Sequence, residues 1–278
     1  MSSYFMERNH KSAQAAGDFR DHCCCQGHPG EPMESVSLFV DPFEPNFLSP
    51  IFLQSSETPA MFKRPKGTVR SCSETSYSGQ VSLQIGNYGF DALCVQRHRL
   101  FGDGWLVIQQ RVDRNEDFYR NWADYRAGFR TLSKGFWMGL DKLHKLTTGA
   151  SHELAVEVVD REGKYYYGRY SEFSIGSEME RYALKEVGNY SGSSRGSTDF
   201  DGLSKHRGQA FSTFDDDNDA NEAEHCAIKT ESAWWFTSSC RGSNLNAIYN
   251  RYESRILWHS YIPYPLRYSR MMIRKTRE

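Results

Sequence analysis

A run of acidic and amide residues, Asp215–Asp219, is the stretch best suited to chemistry. It reads DDDND and is followed by Cys226, a Trp pair and Cys240. Carboxylates this close repel one another, so the run is either a solvated acidic turn or a site where a hard cation relieves the repulsion. Alternate residues of an extended loop point to one side, which lets Asp217 and Asp219 share a calcium ion.

Other types of functional site find less support. An EF-hand is excluded because, counted from Asp215, Ala220 and Cys226 stand where that loop needs Gly and Glu. No Ser-His-Asp, Cys-His or His-Glu-x-x-His pattern is evident, and the nine histidines are scattered. His225, beside Cys226, is interpreted as structural. We therefore predict that the chain is not an enzyme, although a pair of glycosidase carboxylates brought together by the fold remains an alternative.

Bulk properties limit the kind of partner. The chain has 278 residues and a formal net charge of -1, which gives no case for nucleic acid. No apolar run reaches the ~20 residues of a membrane helix, and no secretory signal is visible at the N-terminus. A mean hydropathy of -0.68 with 14% aromatic residues predicts a loop-rich domain around a compact aromatic core.

The seven cysteines fall into two groups. Cys23, Cys24 and Cys25 lie in a polar, Pro-rich leader, residues 1–67, which is predicted to be disordered or extended. Soft-metal binding, palmitoylation and inter-chain disulfides that make an oligomer are the alternatives for them. The other four allow three pairings, of which the shortest loops join Cys72 to Cys94 and Cys226 to Cys240; four free buried thiols are the alternative.

The elements that must position the acidic run follow from periodicity. An aromatic stripe at helical spacing, Phe118, Trp122, Tyr125 and Phe129, predicts an amphipathic helix. A second short helix is predicted at Leu140–Leu146. Strands are predicted at Val81–Ile85, Ala92–Val95, Trp105–Val112, Leu154–Asp160, Tyr165–Tyr170 and Met271–Arg274, with a Gly-containing hairpin turn at Arg161–Gly163.

Several motifs in this order resemble the fibrinogen C-terminal-type domain, the fibrinogen-related domain of ficolins, tachylectins and angiopoietins. The matching stretches span residues 72–275, and we take the domain as 68–278. They are GWLVIQQRVD (104–113), DFYRNWADYRAGF (117–129), FWMGLDKLHKLT (136–147), YALKEVGNYSG (182–192), FSTFDDDND (211–219), CAIKTESAWWF (226–236), CRGSNLN (240–246) and MMIR (271–274).

The resemblance implies a fold and a metal site. The fold is α+β: a twisted antiparallel sheet flanked by short helices, with a C-terminal loop-rich binding subdomain. The resemblance implies the disulfides Cys72–Cys94 and Cys226–Cys240. It also implies calcium on the carboxylates of Asp217 and Asp219 and on two backbone carbonyls, those of Asn221 and Ala223 by count.

Many relatives bind acetylated compounds beside this calcium, in a small aromatic cup with polar donors. The residues matched to that ligand pocket are Trp235, Phe236, Ser239, Cys240, Arg241, Tyr252 and Tyr264. The sequence departs from the lectins in several places: Thr230 replaces an aromatic residue, Arg241 a histidine and Glu253 an alanine. In addition, one extra residue separates Trp235 from Cys240, and Ala247 replaces a glycine. Arg241 would favour an anionic ligand through a forked hydrogen bond.

The function expected from this resemblance is a secreted, calcium-dependent module that binds carbohydrate or acetylated ligands in innate recognition. The alternative is a ligand for a cell-surface protein in adhesion or developmental signalling. An extracellular location is expected although no signal peptide is visible. There, Asn189-Tyr190-Ser191 would serve as a glycosylation site.

Overall fold

The structure is a computed structural model, and it describes residues 68–114, 116–129, 132, 134–193, 201–249, 255–258 and 265–276. The predicted leader, residues 1–67, lies outside the described residues, so its boundary with the domain stays a prediction. None of the helices in the described part of the chain is long and apolar enough to cross a membrane.

A nine-stranded sheet organises the described residues. Along it the strands follow the order β1-β2-β3-β4-β11-β6-β7-β10, β5 pairs with β4 from outside this path, and β8 and β9 form a separate pair. All pairings are antiparallel except that of β1 with β2. The strands are β1 (Thr68–Val69), β2 (Gly79–Ile85), β3 (Tyr88–Val95), β4 (Trp105–Arg111), β5 (Phe136–Trp137), β6 (His152–Asp160), β7 (Tyr165–Tyr170), β8 (Phe173–Ile175), β9 (Leu184–Val187), β10 (Tyr190–Gly192) and β11 (Leu266–Lys275).

The central strand β4 contributes apolar side chains to both faces of the sheet. Every residue of β4 is buried. Leu106 and Ile108 join the larger core, whereas Trp105 and Val107 join a smaller core on the other face. The predicted closing strand at Met271–Arg274 is confirmed as part of the longer β11, which lies between β4 and β6.

The α-helices are short: α1 (Trp122–Ala127), α2 (Leu140–Thr148) and α3 (Cys226–Thr230). The helix predicted across the whole aromatic stripe was therefore wrong at both ends. Gly128 ends α1 in a backbone conformation with φ of 90°, and Asn121 caps its start by accepting a hydrogen bond from the Asp124 N–H. Phe118 and Phe129 lie outside the helix, yet their rings pack edge to face at 5.0 Å.

A buried ionic network joins β6 to β11. Arg270 and Glu157 are cross-strand partners, and both are fully buried. The Arg270 Nε donates to Glu157 Oε2 at 2.7 Å. On its other oxygen, Glu157 contacts His98 Nε2 at 2.9 Å and accepts from the Tyr165 hydroxyl at 2.8 Å. Burial by itself raises the pKa of Glu157, but Arg270 and His98 outweigh it and lower this pKa to about 2.

Loops dominate the chain after β10, as expected for the binding subdomain. Among the described residues, single turns of 3-10 helix lie at Cys72–Glu74, Glu178–Glu180 and Ser204–His206. The structure contains both expected disulfides: Cys72 is bonded to Cys94, and Cys226 to Cys240. The first ties the start of the domain to β3, and the second closes the loop that follows α3.

Candidate functional site

The acidic run lies on a loop that the fold holds from several sides. Ser212 and Trp234 exchange backbone hydrogen bonds of 3.0 and 3.3 Å, which joins the loop to the Trp pair. Thr213 and Asp216 close a tight turn with reciprocal backbone bonds of 3.1 and 3.2 Å. The run is therefore a fixed loop and not a freely solvated chain.

Three of the five residues in the run bind other parts of the fold. The Asp215 carboxylate accepts from the Trp122 N–H at 2.9 Å and so caps the approach to α1. Asp216 forms an ion pair with Arg181 at 3.2 Å. The side-chain amide of Asn218 donates to the Phe211 carbonyl at 3.1 Å. These contacts account for Asp215, Asp216 and Asn218, whereas Asp217 and Asp219 belong to a separate cluster.

Asp217 and Asp219 converge with His225. One ligand atom from each of these three residues lies within 4.8 Å of those of the other two. The Nδ1 atom of His225 is 3.7 Å from Asp217 Oδ1. This nitrogen is shielded from solvent and has no hydrogen-bond partner within the described residues. The sequence analysis interpreted His225 as structural and did not predict that it lies beside the two carboxylates. Its place one residue before Cys226 was the available signal in the sequence.

Asp219 is anchored to the backbone. Its Oδ2 accepts from the Cys226 N–H at 2.9 Å, and its Oδ1 accepts from the Asn221 N–H at 2.8 Å. Burial raises the pKa of Asp219, and the nearby Asp217 carboxylate adds to the rise, although the two backbone N–H groups oppose it. A cation between Asp217 and Asp219 would remove the repulsion that contributes to this rise.

The two carboxylates of the cluster suit a hard divalent cation. Carboxylate oxygens are the ligands that calcium prefers, whereas an imidazole nitrogen suits transition metals better. Asp217 and Asp219 would thus hold calcium, and the ion would supply positive charge that fixes the loop. The backbone carbonyls of Asn221 and Ala223 stay predictions as further ligands. The Asn221 side chain orders that segment, because its Oδ1 accepts from the Ala223 N–H at 2.9 Å.

The Cys226–Cys240 disulfide fixes the far end of the acidic loop. The Asn221 side-chain amide lies 3.2 Å from the Cys240 sulfur, so the loop and the disulfide are in direct contact. Cys240 has a φ of 54°, a left-handed conformation that is uncommon for a residue other than glycine. The disulfide therefore sets the chain direction on both sides of the candidate ion site.

The Trp pair forms the floor beneath the loop. Trp235 is fully buried, its ring meets Trp234 and Phe211 edge to face at 5.2 Å, and its indole N–H donates to the Tyr182 carbonyl at 2.8 Å. Phe236 is also buried.

His206 lies beside this floor and has both ring nitrogens bonded. The Trp235 carbonyl accepts from Nδ1 of His206, whose Nε2 accepts from the Ser243 N–H. These two contacts fix His206 as a neutral imidazole, and burial lowers its pKa.

The remaining pocket residues divide into two groups. Ser239 and Arg241 are exposed on either side of the half-buried Cys240, where a ligand can reach them. Tyr252 and Tyr264 lie outside the described residues, as does Glu253, and stay predictions. The sequon residue Asn189 is exposed one residue before β10, an edge strand of the large sheet.

Comparisons with known proteins agree with this architecture. The family profile described as fibrinogen beta and gamma chains, C-terminal globular domain, matches residues 66–276. Chicken (Gallus gallus) tenascin-R is 40% identical over 199 residues, which cover 68% of this chain and 14% of tenascin-R. Ryncolin-4 of Cerberus rynchops is 39% identical, with 56% of this chain and 45% of ryncolin-4 covered. Human fibrinogen C domain-containing protein 1 is 34% identical, with 91% of this chain and 59% of that protein covered.

Solved structures give the same result. The fibrinogen-like globe domain of human ANGPTL6 superimposes with a TM-score of 0.69 at 32% identity, covering 78% of this chain and all of that domain. Lamprey fibrin D-dimer, solved with the peptide Gly-His-Arg-Pro-amide, has a TM-score of 0.67 at 26% identity and covers 82% of this chain and 80% of its own. The chain spans only part of the curated relatives it matches, from 14% to 59% of their lengths. It belongs to the fibrinogen C-terminal globular domain family, and its role is that of a recognition or binding module.

Proposed function

We propose that this chain is a secreted, calcium-dependent recognition module that binds carbohydrate or acetylated ligands in innate recognition. The observation that supports the proposal is the convergence of the Asp217 and Asp219 carboxylates, each of which offers an oxygen within 4.8 Å of the other. An ion bound there would lie on the loop that contacts Cys240 through Asn221, and Cys240 is flanked by the exposed residues Ser239 and Arg241.

Calcium in this position would act mainly on the loop. Backbone N–H groups hold the Asp219 carboxylate near that of Asp217, and an ion bound between the two would replace their repulsion by attraction to the ion. The segment from Asp217 to Cys226 would then be ordered together with Cys240, since Asn221 touches the disulfide. Ligand affinity is therefore expected to depend on calcium even if the ligand does not touch the ion.

The ligand itself would lie above the buried Trp floor. A fully buried Trp235 contributes shape and rigidity, whereas Ser239 and Arg241 offer the polar contacts. The guanidinium of Arg241 favours a ligand that carries a carboxylate, sulfate or phosphate. A sugar that carries both an acetyl group and an acidic or sulfate group is therefore the first class of ligand to test.

The alternative is a protein-binding ligand in adhesion or developmental signalling. The specific support for it is that lamprey fibrin D-dimer, a structural neighbour, is complexed with a peptide. An exposed Arg241 also suits an acidic peptide or protein surface. Disulfides Cys72–Cys94 and Cys226–Cys240 fit an oxidising, extracellular setting for either function.

Calcium binding is tested by thermal unfolding with and without the ion. At a calcium concentration of about 100 times Kd, the ion should stabilise the wild type by about 2.7 kcal/mol, which is about 5–10 °C for a domain of this size. The double variant Asp217→Asn with Asp219→Asn should lose this stabilisation. Glu222→Gln is the matched control, because Glu222 is an exposed acid of the same loop outside the cluster. An unchanged calcium shift in the double variant would refute the site.

Ligand class is tested with immobilised sugars and a chelator. We expect binding to acetylated or acidic sugars that EDTA abolishes and excess calcium restores. Arg241→Gln should weaken binding to the acidic sugars more than to neutral acetylated ones. Binding to no glycan, together with tight binding to a cell-surface protein, would favour the adhesion or signalling alternative.

A further inference from the structure

A continuous line of hydrogen bonds connects the centre of the large sheet to the candidate ion site. It runs from β4 through the loop that precedes Tyr249 to the end of α3. We call it the β4–α3 relay and define it by five side chains, which are those of Gln109, Asn246, Asn244, Ser232 and Thr230.

The inner half of the relay is completely buried. The Ser269 hydroxyl of β11 donates to Gln109 Oε1 at 3.1 Å, and Gln109 Nε2 donates to the Leu245 carbonyl at 3.0 Å and to Asn246 Oδ1 at 3.2 Å. Asn246 Nδ2 then donates to the Ala233 carbonyl at 3.1 Å. Since Gln109, Asn246 and Ser269 have no exposed surface, a broken link here would leave a buried polar group without a partner.

The outer half turns toward α3. The Asn246 backbone N–H donates to Asn244 Oδ1 at 3.1 Å, and Asn244 Nδ2 donates to Ser232 Oγ at 2.7 Å. Ser232 Oγ lies 2.7 Å from Thr230 Oγ1, whose hydroxyl donates to the Cys226 carbonyl at 2.8 Å. Thr230 has one hydroxyl proton and uses it on Cys226, so Ser232 must be the donor to Thr230. Every donor in the relay therefore points outward, away from the sheet.

The relay ends at the residue that anchors Asp219. Its last hydrogen bond fixes the Cys226 carbonyl, while the Cys226 N–H holds Asp219 Oδ2 at 2.9 Å. Both peptide groups of Cys226 are thus restrained, one by the relay and one by the candidate ion ligand. The outer link therefore depends on the Thr230 hydroxyl, which joins Ser232 to the Cys226 carbonyl.

We propose that the β4–α3 relay positions Asp219, and that Thr230 is a positioning residue for the ion site although it contacts no ligand atom of the cluster. The proposal rests on the proposed calcium site for its functional consequence. Its structural part, the restraint of Cys226, can be measured without calcium.

The test compares Thr230→Val with Thr147→Val in the full chain. Thr147 is a matched control because its hydroxyl makes the same bond to a carbonyl four residues earlier, to Leu143 at 2.9 Å, in α2. With calcium alone as the probe, titration calorimetry should show Kd raised about five-fold in Thr230→Val, the loss expected for one hydrogen bond. Thr147→Val should leave Kd unchanged while lowering the unfolding temperature, and Thr230→Ser, which keeps the hydroxyl, should restore the wild-type Kd.

A second readout separates this proposal from the calcium proposal. Without calcium, amide exchange at Cys226, followed by NMR, should be about five-fold faster in Thr230→Val than in the wild type, and unchanged in Thr147→Val. If the wild type binds no calcium but Cys226 exchange accelerates, the calcium site fails and the relay stands. Unchanged Cys226 exchange in Thr230→Val would overturn the relay. If the wild type binds calcium and Thr230→Val binds it with the same Kd, the role of the relay at the ion site is overturned.

Discussion

Replacing Glu157 by Gln should destabilise the protein by about 3–5 kcal/mol at neutral pH. The change removes the negative charge that compensates the fully buried Arg270 and leaves an uncompensated charge in the core. The pKa of Glu157 gives an independent magnitude. Burial opposes the lowering and Arg270 drives it, and the net fall from 4.5 to about 2 corresponds to about 3 kcal/mol.

The pH dependence has a definite sign. Because the pKa of Glu157 is lower in the folded state, its contribution is complete above pH 4.5 and is lost as pH falls toward about 2. Urea unfolding of the wild type and of Glu157→Gln should therefore give curves that differ by about 3–5 kcal/mol at pH 7 and approach one another at pH 3.

Two further variants make the test specific. Glu186→Gln removes a carboxylate from an exposed pair with Arg207 and should cost less than about 1 kcal/mol. The double variant Glu157→Leu with Arg270→Met, which removes both charges, should be more stable than Glu157→Gln alone. A loss below about 1 kcal/mol in Glu157→Gln, or a difference from wild type that is the same at pH 7 and pH 3, would refute the reasoning.

Two other predictions concern a tight backbone contact and a buried imidazole. Gly128→Ala should cost more than about 3 kcal/mol, because a Cβ atom there would lie 2.2 Å from the Met138 carbonyl oxygen; Gly208→Ala, also at positive φ but in open space, should cost about 1–2 kcal/mol. Equal losses in chemical denaturation would show that backbone strain alone matters. His206 should make the protein less stable as pH falls below about 6.5, because burial lowers its pKa and the unfolded chain takes up the proton first. His206→Gln should flatten stability curves measured between pH 7 and pH 5, and equal slopes would contradict this.

The sequence predicted the parts of the fold that have strong local signals. The apolar run at β4 and the Gly turn between β6 and β7 identify those elements without tertiary information, and both are confirmed. The aromatic stripe beginning at Phe118 led to a helix that was predicted too long. Phe118 and Phe129 lie outside α1, and packing of their rings against each other explains their spacing. The short strands β5 and β8 were not predicted, since two or three residues carry no measurable period.

The site was predictable in its residue types but not in its contacts. The acidic run drew attention to Asp217 and Asp219, yet only the fold reveals that Asp215 binds Trp122, which is 93 residues away. The convergence of His225 with the two carboxylates depends on how the loop turns before Cys226. Partners this distant in sequence leave no local pattern, so calcium binding by these residues stays a prediction.

The place of β11 has a consequence for how the domain assembles. β4 and β6 never touch as sheet partners, because β11 occupies the position between them. In this chain β11 is also the last of the described strands, so the two halves of the sheet keep open edges until residues 266–275 are available. Completion of the sheet is thus a late, long-range event, of the kind that slows folding and exposes intermediates to misassembly. A truncation before Leu266 would divide the domain at its centre instead of trimming its margin.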